Sequence, residues 1–143
     1  MSALLSQINN SIAAKKSLLS IEKEINKSIK IIAKSIKSGG KIMLCGNGGS
    51  AADAQHLAAE FLIRLRPHVN RKPIPAITLA TDISSLTACG NDYSFEEIFS
   101  RSLEALGSKK DVLIVITTSG NSQNILNALK VAKKKQIKSI CFL

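Results

Sequence analysis

Six consecutive residues, Thr117-Thr118-Ser119-Gly120-Asn121-Ser122, place four hydroxyl groups within six positions. They follow the apolar run Val112-Leu113-Ile114-Val115-Ile116. They precede a stretch in which Ile125, Leu126, Leu129 and Ala132 recur on one helical face. A helix start offers unpaired N–H groups and the positive end of its dipole. Glycine lets the main chain approach closely, and the hydroxyls add further donors. That chemistry fits a phosphate. An ordinary N-capped strand-to-helix turn also uses Ser, Thr or Asn, but it needs only one of them.

Three other constellations carry chemistry. Cys45-Gly46-Asn47-Gly48-Gly49-Ser50 follows the apolar segment Lys41-Ile42-Met43-Leu44-Cys45. Its glycines open the backbone to a ligand, Asn47 can bond sugar hydroxyls, and Ser50 can cap a following helix. The spacing is neither a dinucleotide fingerprint nor a phosphate-binding P-loop. A ligand site and a tight turn remain equal readings of it. His56 and Glu60 lie four apart and so share a helix face. Such a pair can reach one metal ion, or act as acid and base beside a sugar carbonyl. A surface pair of small energetic value is the plainer reading, and two ligands do not close a metal site. Gly90-Asn91-Asp92 can hold hydroxyls or simply form a turn before Ser94. His68, between Arg66 and Arg71 in a proline-flanked loop, reads as solvent-exposed.

These residues need elements to position them. Residues 3–37 read as helix, with Ile21, Ile25, Ile29, Ile32 and Ile36 forming one stripe and Leu4, Leu5, Ile8 and Ile12 another. One bent helix or two helices fit equally, stopped by Gly39-Gly40. So long a stripe needs cover, and a bundle between subunits is the preferred source. Strands are then expected at 41–45, 76–80, 111–116 and 137–142. A helix is expected from Ser50 to about Arg66 with Leu57, Phe61, Leu62 and Leu65 inward. Another is opened by a capping box at Ser94-Phe95-Glu96-Glu97 and closed by Gly107, and a last one runs from Ser122 to about Lys135. Alternating strands and helices imply an α/β fold: a parallel sheet with helices on both faces, preceded by a long N-terminal helical segment. Ligands of such sheets bind outside the carboxyl ends of the strands, where both glycine-rich turns lie.

Composition bounds the function. The 143 residues suit one domain, with residues 1–38 as a helical oligomerisation segment and 41–143 as an α/β core. No apolar run is long enough to span a membrane, and Met1-Ser2-Ala3-Leu4-Leu5-Ser6-Gln7 does not resemble a secretory signal. Cys45, Cys89 and Cys141 are odd in number and far apart, which argues against a disulfide framework and for a cytoplasmic protein. The net charge of +10 raises nucleic-acid binding, but aromatic content is 3% with no Trp, and no nucleic-acid motif is present. Solvated lysine faces are the preferred reading, so neither nucleic acid nor membrane is an expected partner.

The stretches CGNGGSAADAQHLAAEF (45–61), CGNDYSFEEIFSRSLEALG (89–107) and TTSGNSQNI (117–125), in that order, resemble a sugar isomerase (SIS) domain and, within it, the bacterial phosphoheptose isomerase family. The resemblance spans the chain. It implies a flavodoxin- or Rossmann-like three-layer fold and a cytoplasmic homotetramer. The implied reaction converts sedoheptulose 7-phosphate to D-glycero-D-manno-heptose 7-phosphate, the first step of heptose supply for lipopolysaccharide core or surface polysaccharide. By this likeness Asn47, Gly48, Gly49 and Ser50 contact substrate, Asn91 and Asp92 hold the sugar, and Thr117, Thr118, Ser119 and Ser122 form the phosphate cradle. His56 and Glu60 match zinc-binding positions, one zinc per subunit, and Glu60 also matches the catalytic base. The family continues past the fourth strand with more sheet and a closing helix, which carry the Gln and His that complete the zinc site. That C-terminal part is therefore expected to be missing from these 143 residues. A non-catalytic SIS protein binding the replication initiator DnaA is the alternative, and the carboxylate at Glu60 favours the isomerase. A phosphosugar-sensing regulatory module is a further reading.

Overall fold

The computed structural model describes residues 2–79 and 81–143, and the chain divides into two compact units at Ile31/Ile32. In the first unit, α1 (Ala3–Ser17) is capped by the Ser2 hydroxyl, which accepts from the Leu5 amide at 3.2 Å. A 3-10 turn (Leu18–Ile21) leads into α2 (Glu22–Lys37), so the helical stretch is one run with a local tightening. Leu4, Leu5, Ile8, Ile12, Leu18, Leu19, Ile21, Ile25 and Ile29 are all exposed. The expected stripe is exposed along this unit, while its last members, Ile32 and Ile36, belong to the second unit and are half-buried.

The second unit holds β1 (Ile42–Gly46), α3 (Gly49–Leu62), β2 (Ala76–Thr78), α4 (Ile83–Asp92), α5 (Ile98–Leu106), β3 (Val112–Ile116), α6 (Gln123–Lys134) and β4 (Lys138–Phe142). Among the described residues the sheet order is β2-β1-β3-β4, all parallel. Connections from β1 therefore leave in opposite directions, and right-handed crossovers put α3 on one face and α5 and α6 on the other. The burial follows the period of two. Met43, Cys45, Leu113 and Val115 join Phe99, Leu103, Ile125, Ala128 and Ala132 in one core cluster. The alternate residues Ile42, Leu44, Val112 and Ile114 are also buried, as are Ala54 and Ala58 of α3. No helix among the described residues is long and apolar enough to cross a membrane.

Several boundaries and faces differ from expectation. β2 ends at Thr78, with Leu79 in a turn, and Ala80 lies outside the described residues. α3 stops at Leu62, and its fully buried positions are Ala54 and Ala58 rather than the larger side chains. Alanines let the helix lie close to the sheet. Leu62 and Leu65 are exposed, and Leu57 and Phe61 half-buried. The helix α4 was not anticipated: the Asp82 carboxylate caps it, accepting from the amides of Ser84 and Ser85. Gly90, Asn91 and Asp92 are its last turn, not a loop. Ser94 makes no side-chain cap, and the Glu97 carboxylate accepts from the Ser100 hydroxyl instead, so the capping box is not formed. A short 3-10 turn (Phe95–Glu97) leads into α5 there. Among the described residues β4 pairs only with β3, and of its own residues only Ile140 is buried.

At the amino edge of the sheet, Asp111 is buried and accepts from the Lys41 amide (2.9 Å), the Lys41 ammonium (2.7 Å) and the Ser108 amide (2.8 Å). Burial alone would raise its carboxyl pKa. The bonds to Lys41 and Ser108 outweigh that and hold it below the ordinary value. This clasp ties the starts of β1 and β3 together, on the rim opposite the glycine-rich loops.

Candidate phosphosugar site

The sheet reverses its direction of winding between β1 and β3, and a crevice opens at the carboxyl ends of such a strand pair. Both glycine-rich loops leave there. In the first, Gly46 lies against α3: a Cβ on it would sit 2.6 Å from the Ser50 carbonyl oxygen. Gly48 has φ +55° and occupies the N-cap of α3, where it supplies no side chain. Ser50 donates its amide to the Asn47 carbonyl at 3.0 Å. The Ala51 amide likewise donates to the Gly48 carbonyl at 3.0 Å, so main-chain bonds close the first turn of α3, which carries no side-chain cap.

In the second loop, Gly120 has φ +67°, and the Asn121 amide donates to the Ser119 hydroxyl at 3.2 Å. Thr118 and Ser119 are exposed and Ser122 half-buried. Ser122 is the N-cap residue of α6, yet its hydroxyl makes no cap bond. A Ser in that position without a cap bond, beside further hydroxyls, leaves donors available to an anion. Thr117 is different. It is buried, and its amide donates to the Phe142 carbonyl at 3.0 Å, so its main chain continues the sheet.

The two loops are joined by a pair of amides. Asn47 donates through Nδ2 to Asn124 Oδ1 at 3.0 Å, and Asn124 Nδ2 donates to Asn47 Oδ1 at 2.8 Å. Asn124, in the first turn of α6, is only 2% exposed. Sequence reasoning singled out Asn47 and passed over Asn124. The available signal was a polar residue on the face that buries Ile125, Ala128 and Ala132.

His56 and Glu60 do share a face of α3, with His56 Nε2 3.5 Å from Glu60 Oε1. The His56 side chain is 72% exposed and that of Glu60 24%. Glu60 Oε2 is buried without a hydrogen-bond partner among the described residues. An orphaned carboxylate oxygen next to an accessible imidazole fits two ligand positions of a zinc ion, or a base with a free lone pair. No group of three His, Cys, Asp or Glu side chains able to hold a metal occurs among the described residues. Arg71 donates to the main-chain carbonyls of Glu60 and, at 2.8 Å, Phe61, which secures the end of α3.

Within one chain these groups do not all converge. Glu60 lies eleven residues beyond Gly49 on α3, roughly 16 Å down a helix that runs away from the carboxyl rim. Asn91 and Asp92 are exposed at the end of α4, where Asn91 donates to the Asp92 carboxylate at 2.8 Å. His68 is exposed, as expected. Cys45 takes no part: burial, then the neighbouring Cys141 thiol, push its pKa up to about 12, which keeps it a protonated core residue.

A family model described as SIS domain matches residues 7–143. Among curated proteins, the phosphoheptose isomerase of Chlorobaculum parvum is 56% identical over 113 residues, covering 79% of this chain and 54% of that protein. The phosphoheptose isomerase of Helicobacter pylori strain P12 is 50% identical over 128 residues, 90% of this chain and 66% of that protein. The solved structure of a phosphoheptose isomerase from Neisseria gonorrhoeae superposes with a TM-score of 0.85 at 40% identity, covering 96% of this chain and 71% of that one. The chain therefore spans roughly half to two thirds of the length of these two curated relatives.

Proposed function

The chain belongs to the SIS domain family, and on that premise we propose that it isomerises sedoheptulose 7-phosphate to D-glycero-D-manno-heptose 7-phosphate. The observation that carries this reading is the Asn47–Asn124 amide pair, which joins the two loops at the β1/β3 switch point and so supports one shared cradle. Thr118, Ser119 and Ser122 with the first amides of α6 would take the phosphate, and the main chain from Asn47 to Ser50 the sugar. Asn91 and Asp92 would hold further hydroxyls, and Thr117 would set the loop by anchoring it to β4.

Glu60 is the proposed base. Its carboxylate removes a proton from C1 of the ketose, the electron pair forms the C1=C2 enediol, and O2 takes a proton. Return of a proton to C2 with loss of the O1 proton gives the aldose. His56 and Glu60 would also supply two ligands of a zinc ion, whose Lewis acidity would stabilise charge on the substrate oxygens.

The axial separation between Glu60 and the first loop favours a homotetramer in which the cradle of one copy is completed by α3 of another. The exposed apolar stripe along α1 and α2 supports such an assembly. A cytoplasmic enzyme feeding heptose to lipopolysaccharide or another glycoconjugate is the setting that fits this chemistry. The test is an assay with sedoheptulose 7-phosphate, with and without added zinc, on this chain beside a form extended at its C-terminus. Aldose production by either supports the reading, and phosphosugar binding with no turnover in both refutes an isomerase.

A further inference from the structure

We propose that Asn124 is a positioning residue that locks the Asn47 carboxamide in one orientation and so sets the sugar-facing edge of the cradle. This rests on the phosphosugar reading above. A buried carboxamide on an otherwise apolar helix face is unfavourable unless its polar atoms are paired. Asn124 meets that condition through Asn47 and through the Ile125 amide, which donates to Asn124 Oδ1 at 2.9 Å. That backbone bond also settles the direction of the pair. Only an oxygen can accept from Ile125, so Asn124 must turn Nδ2 to Asn47 Oδ1 and receive Asn47 Nδ2 in return.

Asn47 is then left with one N–H and one lone pair unused. They lie on opposite flanks of the carboxamide, so the pair fixes on which side a sugar hydroxyl meets a donor and on which it meets an acceptor. The Asn47 main-chain carbonyl accepts from the Ser50 amide, so the residue that presents this carboxamide also belongs to the start of α3. Asn124 thereby couples the side-chain geometry of one loop to the helix start of the other, across 77 residues of sequence.

Asn124→Asp keeps the volume and reverses one bond. The carboxylate still accepts from Ile125 and from Asn47 Nδ2, but its second oxygen meets Asn47 Oδ1, acceptor against acceptor. Protonation restores a donor there. Binding of sedoheptulose 7-phosphate is read by calorimetry from pH 8 to pH 5, as the ratio of variant to wild-type Kd at each pH, with the thermal midpoint followed in parallel. The expected ratio is tenfold or more at pH 8 and within threefold at the acid end. A ratio below twofold at pH 8, or one that does not change with pH, overturns the proposal. Hydrogen exchange of the Asn47 side-chain amide in the ligand-free chain gives a second measurement. One Asn47 Nδ2 proton is expected to exchange slowly in the wild type and fast in Asn124→Ala, and equal rates overturn the lock. If the wild-type chain binds neither sedoheptulose 7-phosphate nor inorganic phosphate, the phosphosugar reading fails, and the exchange measurement still decides the lock.

Discussion

Gly46→Ala tests whether close approach of the first loop to α3 shapes the site. A Cβ there would lie 2.6 Å from Ser50 O, 2.7 Å from Ser50 C and 2.8 Å from Ser50 Cβ. Ordinary contacts of carbon atoms begin near 3.5 Å, so the first turn of α3 must retreat by about 1 Å. Two of the three atoms are main chain, and no rotamer change relieves them. Overpacking of this kind costs about 1–3 kcal/mol, which for a chain of this size lowers the thermal midpoint by roughly 3–10 °C. The same displacement shifts Asn47 and Ser50 relative to α6. A misplacement of about 1 Å at a reacting or binding centre can remove two orders of magnitude of activity. Thermal denaturation and calorimetric titration with sedoheptulose 7-phosphate read the two effects. Gly49→Ala is the stability control, since a Cβ there meets nothing within 4 Å and its φ is not positive. A Gly46→Ala protein with an unchanged midpoint and wild-type affinity would refute the reasoning.

Glu60→Gln should retain sedoheptulose 7-phosphate binding while turnover falls by orders of magnitude. Normal turnover would remove Glu60 from the mechanism. Asp111→Asn places a second donor against the Lys41 ammonium and the Ser108 amide, and should destabilise the fold by about 2–4 kcal/mol in denaturant titrations at neutral pH. Because the folded Asp111 pKa is depressed, its contribution is full above the ordinary carboxylate range and is lost as pH falls through the folded value. The gap between wild type and variant should therefore narrow in acid, and a gap independent of pH would contradict the clasp. Leu5→Lys combined with Ile12→Lys alters apolar side chains that are exposed in their own unit. The sedimentation mass should fall with the circular dichroism signal kept, and an unchanged mass would remove this stripe from any assembly.

The elements that sequence revealed best are those whose burial is uniform along the chain. β1 and β3 are central strands covered on both faces, so they read as unbroken apolar runs. The N-terminal helices show their period because isoleucine alternates with lysine at helical spacing. α4 was hidden for the opposite reason. Its residues Ser84, Ser85, Thr87 and Gly90 are weak helix formers, and only the Asp82 cap followed by Ile83 and Leu86 marked it. On α3 the large apolar residues that the sequence points inward are not the core-facing ones. Close packing on a parallel sheet instead selected Ala54 and Ala58.

The candidate site divides along the same line. The proposed anion cradle is a local object: in each loop its glycines or hydroxyls sit within six residues of each other, and their types alone suggest the ligand class. What makes two such loops into one site is not local. It depends on the order in which the strands assemble, which brings the ends of β1 and β3 together, and on one buried amide whose partner is 77 residues away. The position of Glu60 depends on helix length in the same way. Spacing from His56 shows that the two share a face, but only the path of α3 shows that this face descends from the rim. In the proposed assembly such a carboxylate would serve the cradle of a neighbouring copy. On that reasoning, mixing cradle-defective and Glu60→Gln chains should restore activity that neither has alone.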